Sequence, residues 1–374
     1  MNNNIIQFPV QSEEAHTVFN SSALPEADML RSMGFESAEE MQSAMKEYEA
    51  YCESLDHSRE AVPSLMEFLG RPHQGSDFFA QIQRETAGQV FSSKEELEAA
   101  VSHVVERERT KGLDDFLGLS PQQMQRILSN RSLPENELFA LNPQLPSDAV
   151  ERTLAVKYAV ALLTLIHEEG GTLPLTPKGN LKRVHTTAVM ASLLDFDSDK
   201  YYIRSEDDVP QITHTRYLLY LAGYIDLLKT RVRLTVKGAN WLGTQDFACL
   251  YRELLSACAD DYEWLNEAPF PDDFDIIQDS LPFSLLMLKE SRHKPRTVAE
   301  YLKGFTRAFP AVSGNDSSGY RLILFETAYH ILFFSGFCRF FGLVQGESRS
   351  PVENDFGSSY TTTELFDRLF IWKT

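Results

Sequence analysis

The chain has 374 residues, 43% hydrophobic and 11% aromatic, and a net charge of −19 at pH 7. That length allows two or three packed domains of ordinary size, and the acidic balance opposes any general attraction to polyanions. Four cysteines, Cys52, Cys249, Cys258 and Cys338, form no C-x-x-C pair and are too few for a disulfide framework, so a reducing, cytoplasmic compartment is expected.

The charge is uneven. Residues 1–150 hold 25 acidic and 11 basic side chains, residues 151–250 hold 11 and 12, and residues 251–374 hold 18 and 12. Any nucleic-acid contact is therefore expected in the middle third. The first residues, Met1 to Ile6, lack the basic and apolar segments of a signal peptide. The longest apolar run, from about Ala328 to Leu343, is broken by His330, Arg339 and two glycines. It falls short of the roughly 20 residues a membrane span needs, so a soluble protein with no membrane partner is expected.

In chain order, residues 1–24 are polar and aperiodic and read as a flexible arm, and residues 25–146 read as an acidic helical domain. Met41, Met45, Tyr48 and Cys52 recur at helical steps within Ala38–Leu55. Pro63 opens a second helix, Ser64–Leu69, closed by Gly70 and Pro72. Ser93 with Glu96 makes a capping box for a helix reaching about Arg109. Ser120 followed by Pro121 is an N-cap and first turn, and that helix ends near Asn130. Pro134, Pro143 and Pro146 then space a connector that reads as the best domain boundary.

The segment 147–258 reads as a winged-helix-like domain. A helix over Asp148–Glu169 is stopped by Gly170 and Gly171, and a short strand falls at Leu173–Leu175. A helix over Asn180–Leu194, a loop over Asp195–Asp208, a helix from Pro210, a hairpin over Tyr224–Thr235 and a helix over Lys237–Ser256 follow. Helix, strand, helix, helix, hairpin is the winged-helix order. Two similar sequences, Leu175-Thr176-Pro177-Lys178-Gly179 and Leu234-Thr235-Val236-Lys237-Gly238, are expected to end strands of one three-stranded sheet and not to mark tandem domains.

Residues 259–280, with Asp260, Asp261, Asp272, Asp273 and Asp275, read as an acidic linker, and 281–374 as a second, divergent winged-helix-like domain. There Phe325–Phe334 is an apolar helix, Gly336–Leu343 parallels Gly223–Leu228, and Gln345–Ser359 is a long wing. The expected class is mainly α with small β-hairpins.

Leu117-Gly118-Leu119-Ser120-Pro121, Leu175 to Leu181, and Leu221-Ala222-Gly223 with Leu234 to Gly238 together resemble a helical, winged-helix-repeat region of uncharacterised bacterial proteins. The resemblance covers residues 113–374. Some such proteins carry a SEC-C zinc motif, whose clustered Cys and His are missing here. The resemblance implies a fold and no activity.

Catalytic patterns are thin. His167-Glu168-Glu169 lacks the second histidine of H-E-x-x-H, and the aspartates at 272–279 lack calcium-loop spacing. Ser335-Gly336 is no nucleophile elbow. Cys338 and His330 share a helix face but read as core residues, and no glycine-rich phosphate loop occurs. No cofactor and no metal are expected, and the enzyme reading is the weakest.

Candidate polyanion contacts are Lys178, Lys182 and Arg183, with Lys229, Arg231, Arg233 and Lys237 on the hairpin. Gln211, His214, Arg216, Tyr217 and Tyr220 are the outward candidates on the helix before it, and Arg216 is its one cation. Base reading needs polar side chains there, and that helix is mostly apolar. The leading expectation is a non-enzymatic interaction or scaffold module with a protein partner. The alternative is a nucleic-acid-binding regulator.

Overall fold

The structure, a computed structural model, describes residues 94–374 apart from 131, 135, 194–201, 268, 315–318, 347–358 and 374. The arm and the helices expected at Ala38–Leu55 and Ser64–Leu69 lie outside the described residues. The chain divides into two units, 1–104 and 105–374. Helix α1 (Lys94–Thr110) spans the division, and its expected cap Ser93 lies outside the described residues.

In the second unit, helix α2 (Pro121–Ser129) starts as its sequence dictates. The Ser120 hydroxyl accepts from the Gln123 amide and the Gln123 side chain accepts from the Ser120 amide, while Pro121 occupies the first turn. The proline-spaced connector that reads as a boundary is instead tied into the fold. Strand β1 (Phe139–Leu141) pairs antiparallel with a strand from the far end of the chain, Phe370–Trp372. Phe139 is fully buried and meets Phe370 and Trp372 edge-on at 4.8 and 5.1 Å. Proline spacing marks loops, yet it leaves three residues free to pair.

Helix α3 (Leu154–Glu168) begins later than its apolar pattern suggests, because Thr153 caps the Val156 amide and a separate turn, Ser147–Val150, precedes it. Gly170 and Gly171 both adopt positive φ and stop it. Strand β2 (Thr172–Pro174), helix α4 (Arg183–Ser192), helix α5 (Pro210–Leu221) and strands β3 (Ile225–Leu228) and β4 (Arg231–Leu234) follow. They make a three-stranded sheet of order β2-β4-β3. Both Leu-Thr-x-Lys-Gly sequences do follow strands of this one sheet.

The two copies nevertheless fold differently. At the second, Thr235 caps helix α6 (Val236–Thr244) by accepting from the Gly238 amide, 3.1 Å. A Cβ at Gly238 would lie 2.3 Å from the Tyr224 carbonyl oxygen, so glycine allows the helix its close approach. At the first, Pro177 and Gly179 build a tight turn in which the Thr176 amide donates to the Asn180 carbonyl, 2.8 Å. The helix expected over Lys237–Ser256 is two: Gln245 takes a left-handed conformation and Asp246 caps helix α7 (Phe247–Ser256).

The segment 259–280, expected to be a linker, is anchored in the core by its described aromatic and aliphatic residues. Trp264, Phe274 and Ile277 are buried. The Gln278 amide donates to the carbonyls of Ala259 and Tyr262, and its oxygen accepts from the Trp264 amide. Charge dominates the sequence there, but aromatic residues at wider spacing decide the burial.

Helix α8 (Leu281–Glu290), strand β5 (Arg296–Thr297), helices α9 (Val298–Ala308) and α10 (Tyr320–Tyr329), a π-helix over His330–Arg339 and strands β6 (Val344–Gly346) and β7 (Ser359–Thr362) repeat the earlier element order. Their sheet, β5-β7-β6, repeats its strand order. The repeat extends to single bonds. Thr235 donates to the Gly223 carbonyl at 2.8 Å, and Thr363 donates to the Gly342 carbonyl at 2.7 Å. Both glycines have positive φ, and both threonines cap the next helix, in the second case α11 (Glu364–Leu369). The counterpart of Gly223 is thus Gly342, not Gly336. Gly336 sits inside the π-helix, where a Cβ would lie 3.0 Å from the Ile331 carbonyl oxygen. Strand β8 (Phe370–Trp372) completes the chain's pairing with β1.

One continuous core joins the two repeats. The Ala155 amide donates to the Phe340 carbonyl, 3.0 Å, and the Tyr251 hydroxyl donates to that of Phe341, 2.8 Å. Phe325, Phe333, Phe334 and Phe337 are fully buried, each contributing about 1.5–3 kcal/mol of transfer free energy. Segments 147–258 and 281–374 therefore share one hydrophobic interior. Among the described residues no helix is long and apolar enough to cross a membrane.

Candidate interaction surface

Helix α5, the hairpin β3–β4, the turn after β2 and the first turns of α4 and α6 position the candidate contact residues. Arg216 does not point outward as expected. It is 4% exposed, and its Nε and Nη2 donate to Glu206 Oε1 at 3.1 and 3.0 Å. The same carboxylate accepts from the Thr213 hydroxyl at 2.8 Å and, through Oε2, from the Leu181 amide. Glu206 is fully buried, so this charged pair links α5 to the turn between β2 and α4. Sequence reasoning missed Glu206 because Glu206-Asp207-Asp208 before a helix resembles ordinary N-terminal charge.

His214 is also turned inward. Its ring meets Tyr262 and Phe340 edge-on at 4.7 and 5.0 Å, and burial lowers its pKa to about 4. Its Nε2 lies 3.8 Å from Cys258 Sγ. A nucleophilic pair needs a depressed thiol pKa, but burial pushes the Cys258 thiol well up. Both groups stay neutral, which suits packing. His330 shares a hydrogen bond with the Tyr360 hydroxyl at 2.6 Å inside the core. Among the described residues no three His, Cys, Asp or Glu side chains converge as a metal site.

Two of the candidate cations are neutralised, and one of them, Lys237, lies in the first turn of α6 and not on the hairpin. Arg233 pairs with Asp226, directly opposite it on β3, at 2.6 Å. Lys237 pairs with Glu253 at 2.7 Å, donates to the Ala222 carbonyl and lies over the Tyr224 ring. Lys178, Lys182, Arg183, Lys229 and Arg231 are exposed. None of these five has a carboxylate partner among the described residues.

With Arg216 inside, the outer face of α5 is apolar. Tyr217, Tyr220 and Leu221, spaced three and four apart on one face, are exposed. Leu221 and Ala222 run into an open cleft of about 490 Å³ of mixed character, lined by Pro134, Leu141 and Pro143 and by the charged Lys237, Arg252, Glu253 and Asp261. The equivalent stretch of the second repeat, around Phe333 to Phe341, is buried, so the two repeats differ in the face they leave open.

Comparison with protein-family models, with curated proteins and with solved structures gives no match for this chain.

Proposed function

We propose that the segment 147–258 forms a winged-helix-like unit, that 281–374 forms a second, and that the chain is a non-enzymatic adaptor holding a partner protein on the outer face of α5. The order helix, strand, helix, helix, hairpin with strand order β2-β4-β3 supports the unit assignment. The observation that carries the function is the inward Arg216. The one cation of the helix that would enter a major groove is spent on Glu206, and Tyr217, Tyr220 and Leu221 face solvent in its place. Exposed tyrosines beside a cleft with apolar and charged walls are typical protein-contact chemistry. Three described cysteines are free, which suits a reducing, cytoplasmic setting.

A photo-crosslinking residue at Tyr220 tests this in the native cell. A discrete crosslinked protein that vanishes with Leu221→Asp, and that is missing when the crosslinker sits at exposed Lys303, is the expected result. Crosslinks equal at both positions would remove the proposal.

A further inference from the structure

The five cations without a carboxylate partner gather at one end of the first sheet. Arg231 lies opposite Pro174 in the β2–β4 register. In the next row the Leu175 amide donates to the Thr230 carbonyl, 2.8 Å, and Leu175 bridges to Leu181 on its other side. Leu181, Leu175 and Thr230 thus stand side by side, a row roughly 10 Å wide at about 4.8 Å per strand step. Lys229 and Arg231 flank Thr230 at one side of the row, Lys182 and Arg183 follow Leu181 at the other, and Lys178 sits in the turn closed by Gly179.

Among the described residues, most neighbouring acids are engaged elsewhere. Asp208 pairs with Arg204, Asp226 with Arg233, and Glu206 with Arg216. Asp207 borders the strip, accepting from the Asn180 side chain at 2.7 Å. What sets these exposed cations apart is their grouping along one row of the sheet. An aromatic ring accompanies them. Tyr202 is 74% exposed, and the Arg183 guanidinium lies 4.8 Å from its ring centroid.

From this juxtaposition we propose a second binding site that takes the phosphodiester backbone of a nucleic acid, independent of base sequence, on Lys178, Lys182, Arg183, Lys229 and Arg231. Phosphate contact needs several exposed cations near one another and no reading helix, and the row of Leu181, Leu175 and Thr230 brings such cations to one edge while α5 has no exposed cation. Tyr202 adds a platform on which an unpaired base can stack, so single strands are favoured over duplex. An acidic peptide would use the cations but has no use for that ring. The site does not rest on the proposed protein contact of α5.

The test is fluorescence anisotropy of the full chain with labelled oligonucleotides, single-stranded and duplex, longer than the ~16 nucleotides one binding fold covers. At low salt a dissociation constant of about 1–100 µM is expected, and a log–log salt slope near −3.5 for five contacts on a single strand, roughly a hundredfold loss from 50 to 200 mM salt. Lys178→Glu/Arg231→Glu flattens that slope by at least ~1.4 and weakens binding, while Lys303→Glu on α9 leaves both unchanged. Tyr202→Ala weakens the single strand by about fivefold or more and the duplex less. Thermal melts check that each variant folds. Absence of binding at low salt, an unchanged slope in the double reversal, or equal competition by poly-glutamate of matched charge would each overturn the site.

Discussion

Removing the Glu206 carboxylate isolates a buried positive charge, and the structure sets the size of the effect. In Glu206→Ala the Arg216 side chain, 5% exposed, loses two charge-assisted hydrogen bonds, and the Leu181 amide and Thr213 hydroxyl lose their acceptor. Breaking one partner of a buried pair costs about 3–5 kcal/mol, a large part of the roughly 5–15 kcal/mol that holds a domain folded. Solvent screening gives little relief at this burial. In urea titrations the midpoint should fall by that amount at unchanged slope, and the melting temperature by roughly 10 °C. Glu206→Leu/Arg216→Leu, which removes both charges and keeps apolar volume, should recover the part due to the isolated charge, while the Leu181 amide and Thr213 hydroxyl still lack their acceptor. A single variant costing under ~1 kcal/mol, or a double variant as damaged as the single, would refute the reasoning. Hydrogen exchange should locate the loosening at residues 176–183 and α5, the two segments the carboxylate joins.

Gly238→Ala should destabilise by at least about 1–3 kcal/mol, because its Cβ meets the Tyr224 carbonyl oxygen at 2.3 Å. Gly243→Ala, with nothing within 4 Å, should stabilise by about 0.5–1 kcal/mol in the same denaturation assay. The His214 pKa falls from 6.5 to about 4 on folding. The unfolded chain then binds the extra proton between those values, so this contribution is complete above about pH 6.5 and is lost as pH falls toward 4. His214→Gln should flatten the stability profile between pH 4 and 6.5 by about 2–3 kcal/mol, and parallel profiles would count against the assignment. Thiol labelling of native protein, read by mass spectrometry, should modify partly exposed Cys249 well before Cys258 and Cys338, which are buried with raised thiol pKa values. Equal rates would contradict that burial.

Local signals were legible in the sequence where one residue decides the outcome. Ser120-Pro121 starts a helix, Gly170-Gly171 stops one, and Pro210 opens another. Signals that depend on distant partners were not. Thr176 and Thr235 share a motif, yet one lies in a turn and the other caps a helix, because Pro177 and Val236 differ and only Gly238 meets Tyr224. Gly336 looks like a helix stop, but the buried aromatic ladder around it carries the backbone through as a π-helix. Acid content made residues 259–280 look like a linker, although Trp264, Phe274 and Gln278 bind that segment into the core. For the candidate surface, the exposed cations were readable one by one, but the inward turn of Arg216 depends on which of three adjacent acids is buried. Periodicity carries no such information.

The strand pair of β1 with β8 also bears on the order of assembly. Beside it, the Asn142 side chain donates to the Arg368 carbonyl across 226 positions of chain, and closing so long a loop in an unfolded chain costs roughly 5 kcal/mol of entropy. Contacts of that span form slowly unless other contacts first shorten the loop. The expected order is that each repeat condenses on its own short-range contacts and the ribbon closes last as a latch, and hydrogen exchange should then find its amides opening before those of the core helices.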